Sequence, residues 1–164
     1  MKILYYGGQK SGKSRLAERK ALRLASDTKP YYIATYDNSY GDEEMCRRIS
    51  RHQAQREARF ITIEEPKDLN RVVKEGHTCL IDCMSMWILN TLEADEETLL
   101  AEVEALCAKG ANIIFVLNDV GSGVIPIEAS SRKYVDRSGI IGQKLAECCD
   151  EVYEVTLGLG KRLK

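Results

Sequence analysis

The sequence has no Cys-x-x-Cys pair and just two histidines, His52 and His77, so its 6 cysteines do not outline a zinc framework. Reduced thiols are expected instead, because Cys79, Cys83 and Cys107 lie in or beside apolar segments where free cysteine behaves as a small hydrophobe. No apolar run approaches the length of a membrane span, and the N-terminus enters a strand without signal-peptide architecture, so a cytoplasmic protein is expected. Charge of one sign is not in excess: 24 Lys and Arg face 25 Asp and Glu. That balance argues against a nucleic-acid-binding surface. Repeats and low-complexity linkers are missing as well. A composition 44% apolar and 30% charged over 164 residues is ordinary for one soluble domain spanning residues 1–164.

The stretch that organises the chain is Gly7-Gly8-Gln9-Lys10-Ser11-Gly12-Lys13-Ser14, directly after the apolar run Ile3-Leu4-Tyr5-Tyr6. Its spacing is that of a phosphate-binding P-loop. Glycine at Gly7, Gly8 and Gly12 lets the backbone turn its N–H groups inward around a phosphate chain. Lys13 is placed to reach the β and γ phosphates, and the Ser14 hydroxyl to hold Mg²⁺. Leu16, Ala17, Lys20, Ala21, Leu24 and Ala25 follow at roughly helical spacing, and the start of that helix adds a partial positive charge to the same anion site.

Strands and helices alternate along the rest of the chain, which predicts an α/β fold on a mostly parallel sheet flanked by helices. Tyr31 to Thr35 is expected as a strand with a polar loop, Tyr36 to Gly41, at its carboxyl end. A helix is expected from Glu43 to Glu57 with Asp42 as its cap, then a strand from Phe60 to Glu64 and a short helix from Pro66 to Lys74, stopped by Gly76. Thr78 to Asp82 reads as a strand, Met84 to Leu92 and Glu96 to Lys109 as helices, and Asn112 to Leu117 as the central strand. After the loop Asn118 to Pro126 comes a long helix, Ser130 to Cys149, with Gly139 and Gly142 as weak points. Val152 to Thr156 and Lys161 to Leu163, joined through Gly158 and Gly160, suggest an edge hairpin.

Three further features carry chemistry. Asp82 ends an apolar strand, where a P-loop protein holds Mg²⁺ or its waters; capping of the next helix by Asp82 or Ser85 fits the sequence about as well. His52 has Arg48 and Arg56 one turn away on either side of its expected helix, neighbours that favour the neutral, nucleophilic imidazole and draw in a polyphosphate. A solvated surface histidine is the bland alternative. Glu64 and Glu65 suit either a ribose hydroxyl or a cap for the Pro66 helix. A regulatory GTP switch is disfavoured, since its guanine-reading Asn-Lys-x-Asp is absent and the nearest stretch reads Asn118-Asp119-Val120-Gly121.

Taken together, Gly7 to Arg15, Tyr32-Ile33-Ala34-Thr35, Asp42-Glu43-Glu44-Met45 with Arg48-Ile49-x-x-His52, Glu64-Glu65-Pro66, Asp82-Cys83 with Trp87 and Asn90, Asn118-x-Val120-Gly121-x-Gly123-x-x-Pro126 and Asp150-Glu151-Val152 form one pattern. It resembles the bifunctional adenosylcobinamide kinase and adenosylcobinamide-phosphate guanylyltransferase family of cobalamin assembly, in order and over essentially the whole chain. The resemblance implies a RecA-like P-loop sheet, a trimer, and two reactions. ATP or GTP phosphorylates the side-chain hydroxyl of adenosylcobinamide. GTP then guanylylates a histidine, which passes GMP to adenosylcobinamide phosphate. By that resemblance His52 is the nucleophile, Gly7 to Ser14 bind phosphates, Ala34, Thr35, Tyr36, Gln53, Ala54, Gln55 and Arg56 flank the nucleotide, and Glu64 and Asp82 contact nucleotide or Mg²⁺. The chain departs from the family at Gln9-Lys10, at Val135 and Gly142, and in a short segment between Asn90 and Glu96. A P-loop kinase of another small molecule, with no covalent histidine step, is the alternative reading.

Overall fold

The computed structural model describes residues 1–37 and 58–164. The expected helix Glu43 to Glu57, with Arg48, His52, Gln53, Ala54, Gln55 and Arg56, lies outside the described residues. Its strands are β1 (Lys2–Gly7), β2 (Tyr31–Ala34), β3 (Ile61–Glu64), β4 (Thr78–Asp82), β5 (Asn112–Asn118), β6 (Glu151–Thr156) and β7 (Leu159–Arg162). The described helices are α1 (Lys13–Ala25), α2 (Leu69–Val72), α3 (Met84–Asn90), α4 (Glu96–Ala108) and α5 (Ala129–Cys148).

The strands form one 7-stranded sheet in the order β3-β2-β4-β5-β1-β6-β7, parallel throughout except for the final β6–β7 pair. β5 is the middle strand, as its unbroken apolar run predicts, and it separates β1 from β4. That separation of the P-loop strand from the strand ending in Asp82 is the order of RecA-like P-loop sheets. Side chains alternate between the two faces, as the pleat requires. Ile3, Tyr5, Ile114 and Val116 join the cluster covered by α1, whereas Leu4, Ile113, Phe115 and Leu117 join the larger cluster containing Trp87, Leu99, Val103 and Leu145 from α3, α4 and α5. Helix α1 is amphipathic in the plainest way, burying Lys13, Ala17, Ala21 and Ala25 at intervals of four. Small alanines let it lie close to the sheet, which sets the position of the loop just before it.

Two local departures from the sequence expectation have physical causes. The helix foreseen from Pro66 to Lys74 shrinks to Leu69–Val72, because the buried Glu65 carboxylate accepts the N–H groups of Lys67 (3.1 Å) and Asp68 (2.9 Å) and holds them in a turn. Asp68 is the cap, accepting from the Arg71 N–H at 3.1 Å. The C-terminal hairpin turns at Leu157 and Gly158, both with positive φ (54° and 81°), so Thr156 pairs with Leu159 across a two-residue turn and Gly160 lies within β7.

Glu65 also receives the Arg71 guanidinium. Burial alone would push its carboxyl up, but Arg71 and the N–H groups of Asp68 and Lys67 outweigh that and hold it below its ordinary value. A carboxyl lowered by folding contributes stability above its unfolded pKa and loses it as pH falls through the folded value. Glu65→Gln is therefore expected to destabilise the protein by about 1–2 kcal/mol at pH 7. In urea unfolding the gap between parent and variant should narrow below about pH 4.

Candidate functional site

The P-loop is formed. Gly12 sits in the left-handed region (φ 98°) at the start of α1 with no side-chain cap, so the N–H groups of the first turn are left to an anionic ligand. Lys10 is left-handed too (φ 57°), and the Ser11 N–H donates to the Gly8 carbonyl at 3.2 Å, which closes the loop into a concave ring of amides. The Lys13 side chain is buried and its ammonium donates to the Gly8 carbonyl at 2.9 Å, folded back across the cradle. Burial lowers its pKa, and the Cys83 and Asp82 side chains act in the opposite direction.

Asp82 ends β4 and turns its carboxylate to the loop rather than to the next helix. It accepts from the Ser14 hydroxyl at 3.4 Å and from the Tyr32 hydroxyl at 2.5 Å. The N-cap of α3 is Cys83, with no side-chain capping bond, and Ser85 Oγ is occupied by the Asn118 N–H at 2.8 Å. Both capping alternatives are thus excluded by geometry. A hydroxyl and a carboxylate converging beside a phosphate cradle are hard oxygen donors, the set Mg²⁺ prefers when phosphates complete its shell. Ser14 and Asp82 fit that ion.

The neighbouring strand ends supply the rest of the edge. Register places Ala34 beside Asp82 on one side and Glu64 on the other. Thr35 is fully buried, donating to the Cys83 carbonyl (2.7 Å) and accepting from the Cys83 N–H (2.9 Å), which pins the chain after β2 to the chain after β4. The Asn90 side-chain amide binds the Thr35 carbonyl at 2.7 Å and the Pro66 carbonyl at 3.0 Å, so this edge is locked from α3 as well. Tyr36 follows, half-buried. Glu64 lies two strands from Asp82, ~10 Å away between backbones by strand spacing, at the same edge of the sheet. Glu65, its neighbour, is spent on the turn described above.

Two supports escaped the sequence. The Gly158 N–H of the hairpin turn donates to the Ser11 carbonyl at 2.7 Å, and a Cβ on Gly12 would lie 3.0 Å from Gly158 Cα, so the C-terminal hairpin braces the P-loop from outside. On the other side the Asp119 N–H donates to the Gly7 carbonyl at 2.8 Å. The Ser122 hydroxyl holds the Asp119 carboxyl below its ordinary value, helped against burial by Tyr6 and the N–H groups of Gly121 and Ser122. Neither contact has a local signal, because each depends on which strands flank β1.

A phosphate cradle on the first strand of a parallel sheet, with a strand-end carboxylate facing its serine, defines a P-loop nucleotide-binding protein. A family described as cobinamide kinase / cobinamide phosphate guanyltransferase (CobU) matches residues 3–163, and the chain belongs to it. The bifunctional adenosylcobalamin biosynthesis protein CobP of Pseudomonas aeruginosa is 40% identical over 173 residues, covering 100% of this chain and 98% of the relative. The bifunctional adenosylcobalamin biosynthesis protein CobU of Escherichia coli is 31% identical over 186 residues, covering 100% of both. Among solved structures, a KaiC-like protein of Pyrococcus horikoshii aligns at TM-score 0.49 and 16% identity over 93% of this chain and 69% of its own.

Proposed function

We propose that the protein is an adenosylcobinamide kinase and adenosylcobinamide-phosphate guanylyltransferase working as one P-loop unit. The observation that carries the reading is the formed cradle, with Lys13, Ser14 and Asp82 converging on it, in a chain that matches this family from residue 3 to residue 163.

In the kinase step the corrinoid side-chain hydroxyl attacks the γ phosphorus of ATP or GTP. A P–O bond to the corrinoid forms, the bond to the β-phosphate oxygen breaks with its electron pair going to the nucleoside diphosphate, and the hydroxyl proton passes to solvent water. Lys13 and the loop amides of Gly7 to Ser14 hold the phosphates in line and offset the negative charge that moves onto the leaving oxygen. Ser14 and Asp82 would hold Mg²⁺, which when bound neutralises charge on the phosphate oxygens. Ala34, Thr35, Tyr36 and Glu64 flank the sugar and base.

In the transferase step a neutral His52 nitrogen attacks the α phosphorus of GTP and pyrophosphate leaves. The phosphate of adenosylcobinamide phosphate then displaces histidine, giving adenosylcobinamide-GDP. Arg48 and Arg56 would spread the developing charge, with Gln53, Ala54 and Gln55 beside the nucleotide. The covalent phosphoramidate splits one hard transfer into two easier ones. A trimer, as the family resemblance implies, and a cytoplasmic location complete the reading; no helix among the described residues is long and apolar enough to cross a membrane.

The test is incubation with GTP labelled at the α phosphate, denaturation, and a count of acid-labile, base-stable label on the protein. Label is expected on the parent and not on His52→Ala. Folded parent that binds GTP and takes no label would leave a P-loop kinase without the covalent step.

A further inference from the structure

On the sheet face opposite α1, a half-open cavity of about 300 Å³ runs between α5 and the strands β1, β5 and β6. Leu4, Tyr6, Leu117, Val120, Val135 and Leu163 give it an apolar wall. Its existence follows from small residues on α5: Gly139 and Gly142 line it without side chains, and Ser138 and Ala146 add little bulk. A Cβ on Gly139 would meet nothing within 4 Å. Helix α5 is continuous through both glycines, so they are openings in a wall rather than breaks in a helix.

Position and chemistry both bear on what fills it. One end abuts the phosphate site, since Tyr6 immediately precedes Gly7, and Asn118, also in the lining, is the register partner of Gly7. Whatever occupies this end therefore lies next to the residue that opens the phosphate loop. The lining suits neither the charged phosphates nor the sugar of a nucleotide. Its few polar side chains are the Tyr6 phenol, which is engaged with Asp119, the Asn118 and Gln143 amides, and Ser138 Oγ, which is buried without a hydrogen bond of good geometry. The Tyr134 hydroxyl approaches Ser138 but is directed to the Ser85 carbonyl at 3.3 Å. A mainly apolar wall with scattered amide and hydroxyl groups matches a ligand edge that carries methyls and carboxamides. Above the Val120–Gly121 rim, the same loop holds Val124, Ile125 and Ile127 at 95%, 79% and 95% exposure, an apolar surface continuous in sequence with the cavity mouth.

We infer that this cavity seats the methyl- and carboxamide-bearing edge of the corrinoid acceptor, next to its hydroxyl-bearing arm, while Val124, Ile125 and Ile127 contact the part of the macrocycle left outside. A corrin ring is far larger than the cavity, so the edge enters and the ring does not. The inference rests on the proposed kinase and transferase reading and adds the acceptor side, on the face of the sheet away from α1.

The experiment fills the cavity and follows the acceptor. Gly139→Leu projects a side chain into open space, and Val135→Asp places a charge in the apolar wall. Each is expected to raise the cobinamide KM of the kinase step at least tenfold, with the GTP Kd within twofold of the parent. Gly139→Ala, which adds one methyl, should stay within about threefold on KM. Thermal unfolding and GTP binding identify any variant that has not folded, and Gly139→Ala keeps the helix while testing size alone. If the parent turns over cobinamide and both filling variants match it in KM, the cavity is not the acceptor seat. If the folded parent binds GTP but not cobinamide, the underlying functional reading falls, and this inference with it.

Discussion

Lys13→Met is expected to lower kcat/KM for both phosphoryl and guanylyl transfer by on the order of 10³-fold, while leaving the nucleotide-free protein at least as stable as the parent. The two halves of that expectation have one cause. The Lys13 ammonium is buried, with the Gly8 carbonyl oxygen at 2.9 Å as its hydrogen-bond partner among the described residues, and burial lowers its pKa. A lysine whose folded pKa lies below its unfolded one weakens the fold wherever it must stay charged. The penalty is present at neutral pH and fades as pH rises through the alkaline range, because there the unfolded chain binds the extra proton. Methionine removes the penalty along with the function. Thermal unfolding with and without GTP separates the two: the parent should gain about 2.7 kcal/mol at a hundredfold excess of GTP over Kd, and the variant should gain little at that GTP concentration. A variant that loses its nucleotide-free stability would mean that Lys13 is a structural residue, and one that keeps its GTP-induced gain would mean that Lys13 does not hold the nucleotide.

The P-loop was legible in the sequence because its information is local: an apolar run, eight residues at fixed spacing, then a helix. Asp82 was ambiguous for the same reason. An Asp at a strand end caps a following helix or faces a ligand site with equal ease, and only the position of β4 two places from β1, with Tyr32 brought over it from β2, turns this carboxylate to the Ser14 hydroxyl. Glu65 went the other way. Its carboxylate captured two backbone N–H groups and shortened the helix foreseen from Pro66, a competition between side chain and backbone that composition does not rank. Gly139 and Gly142 read as helix weak points because the periodicity of a helix says nothing about where its partner strand leaves a gap. The order of the sheet supplies what spacing lacks. It puts Gly158 against Ser11, far apart in the chain, since β6 happens to be the neighbour of β1.

That neighbour relation carries the second large effect, which falls on the glycine opening the loop. A Cβ built on Gly7 would overlap the Val155 carbonyl oxygen of β6, and that oxygen belongs to strand backbone, paired with Gly160 of β7 and directly following the Glu154 that pairs with β1, so it cannot rotate aside as a side chain end does. Gly7→Ala must therefore push β6 away from β1 or turn the start of the loop. Moving β6 also moves Gly158 off Ser11, so either response opens the phosphate cradle. A loss of about 3 kcal/mol in unfolding free energy is expected, in the upper range for overpacking, together with loss of GTP binding. Gly8→Ala is the control. Its added methyl would meet nothing within 4 Å, so its stability should stay within about 0.5 kcal/mol of the parent. If Gly7→Ala were as stable as Gly8→Ala and still bound GTP, the contact with Val155 would not set the loop, and the hairpin would be an edge ornament. If it behaves as expected, the carboxyl-terminal hairpin is part of the nucleotide site, and truncating the chain before Glu151 should cost GTP binding although every P-loop residue remains.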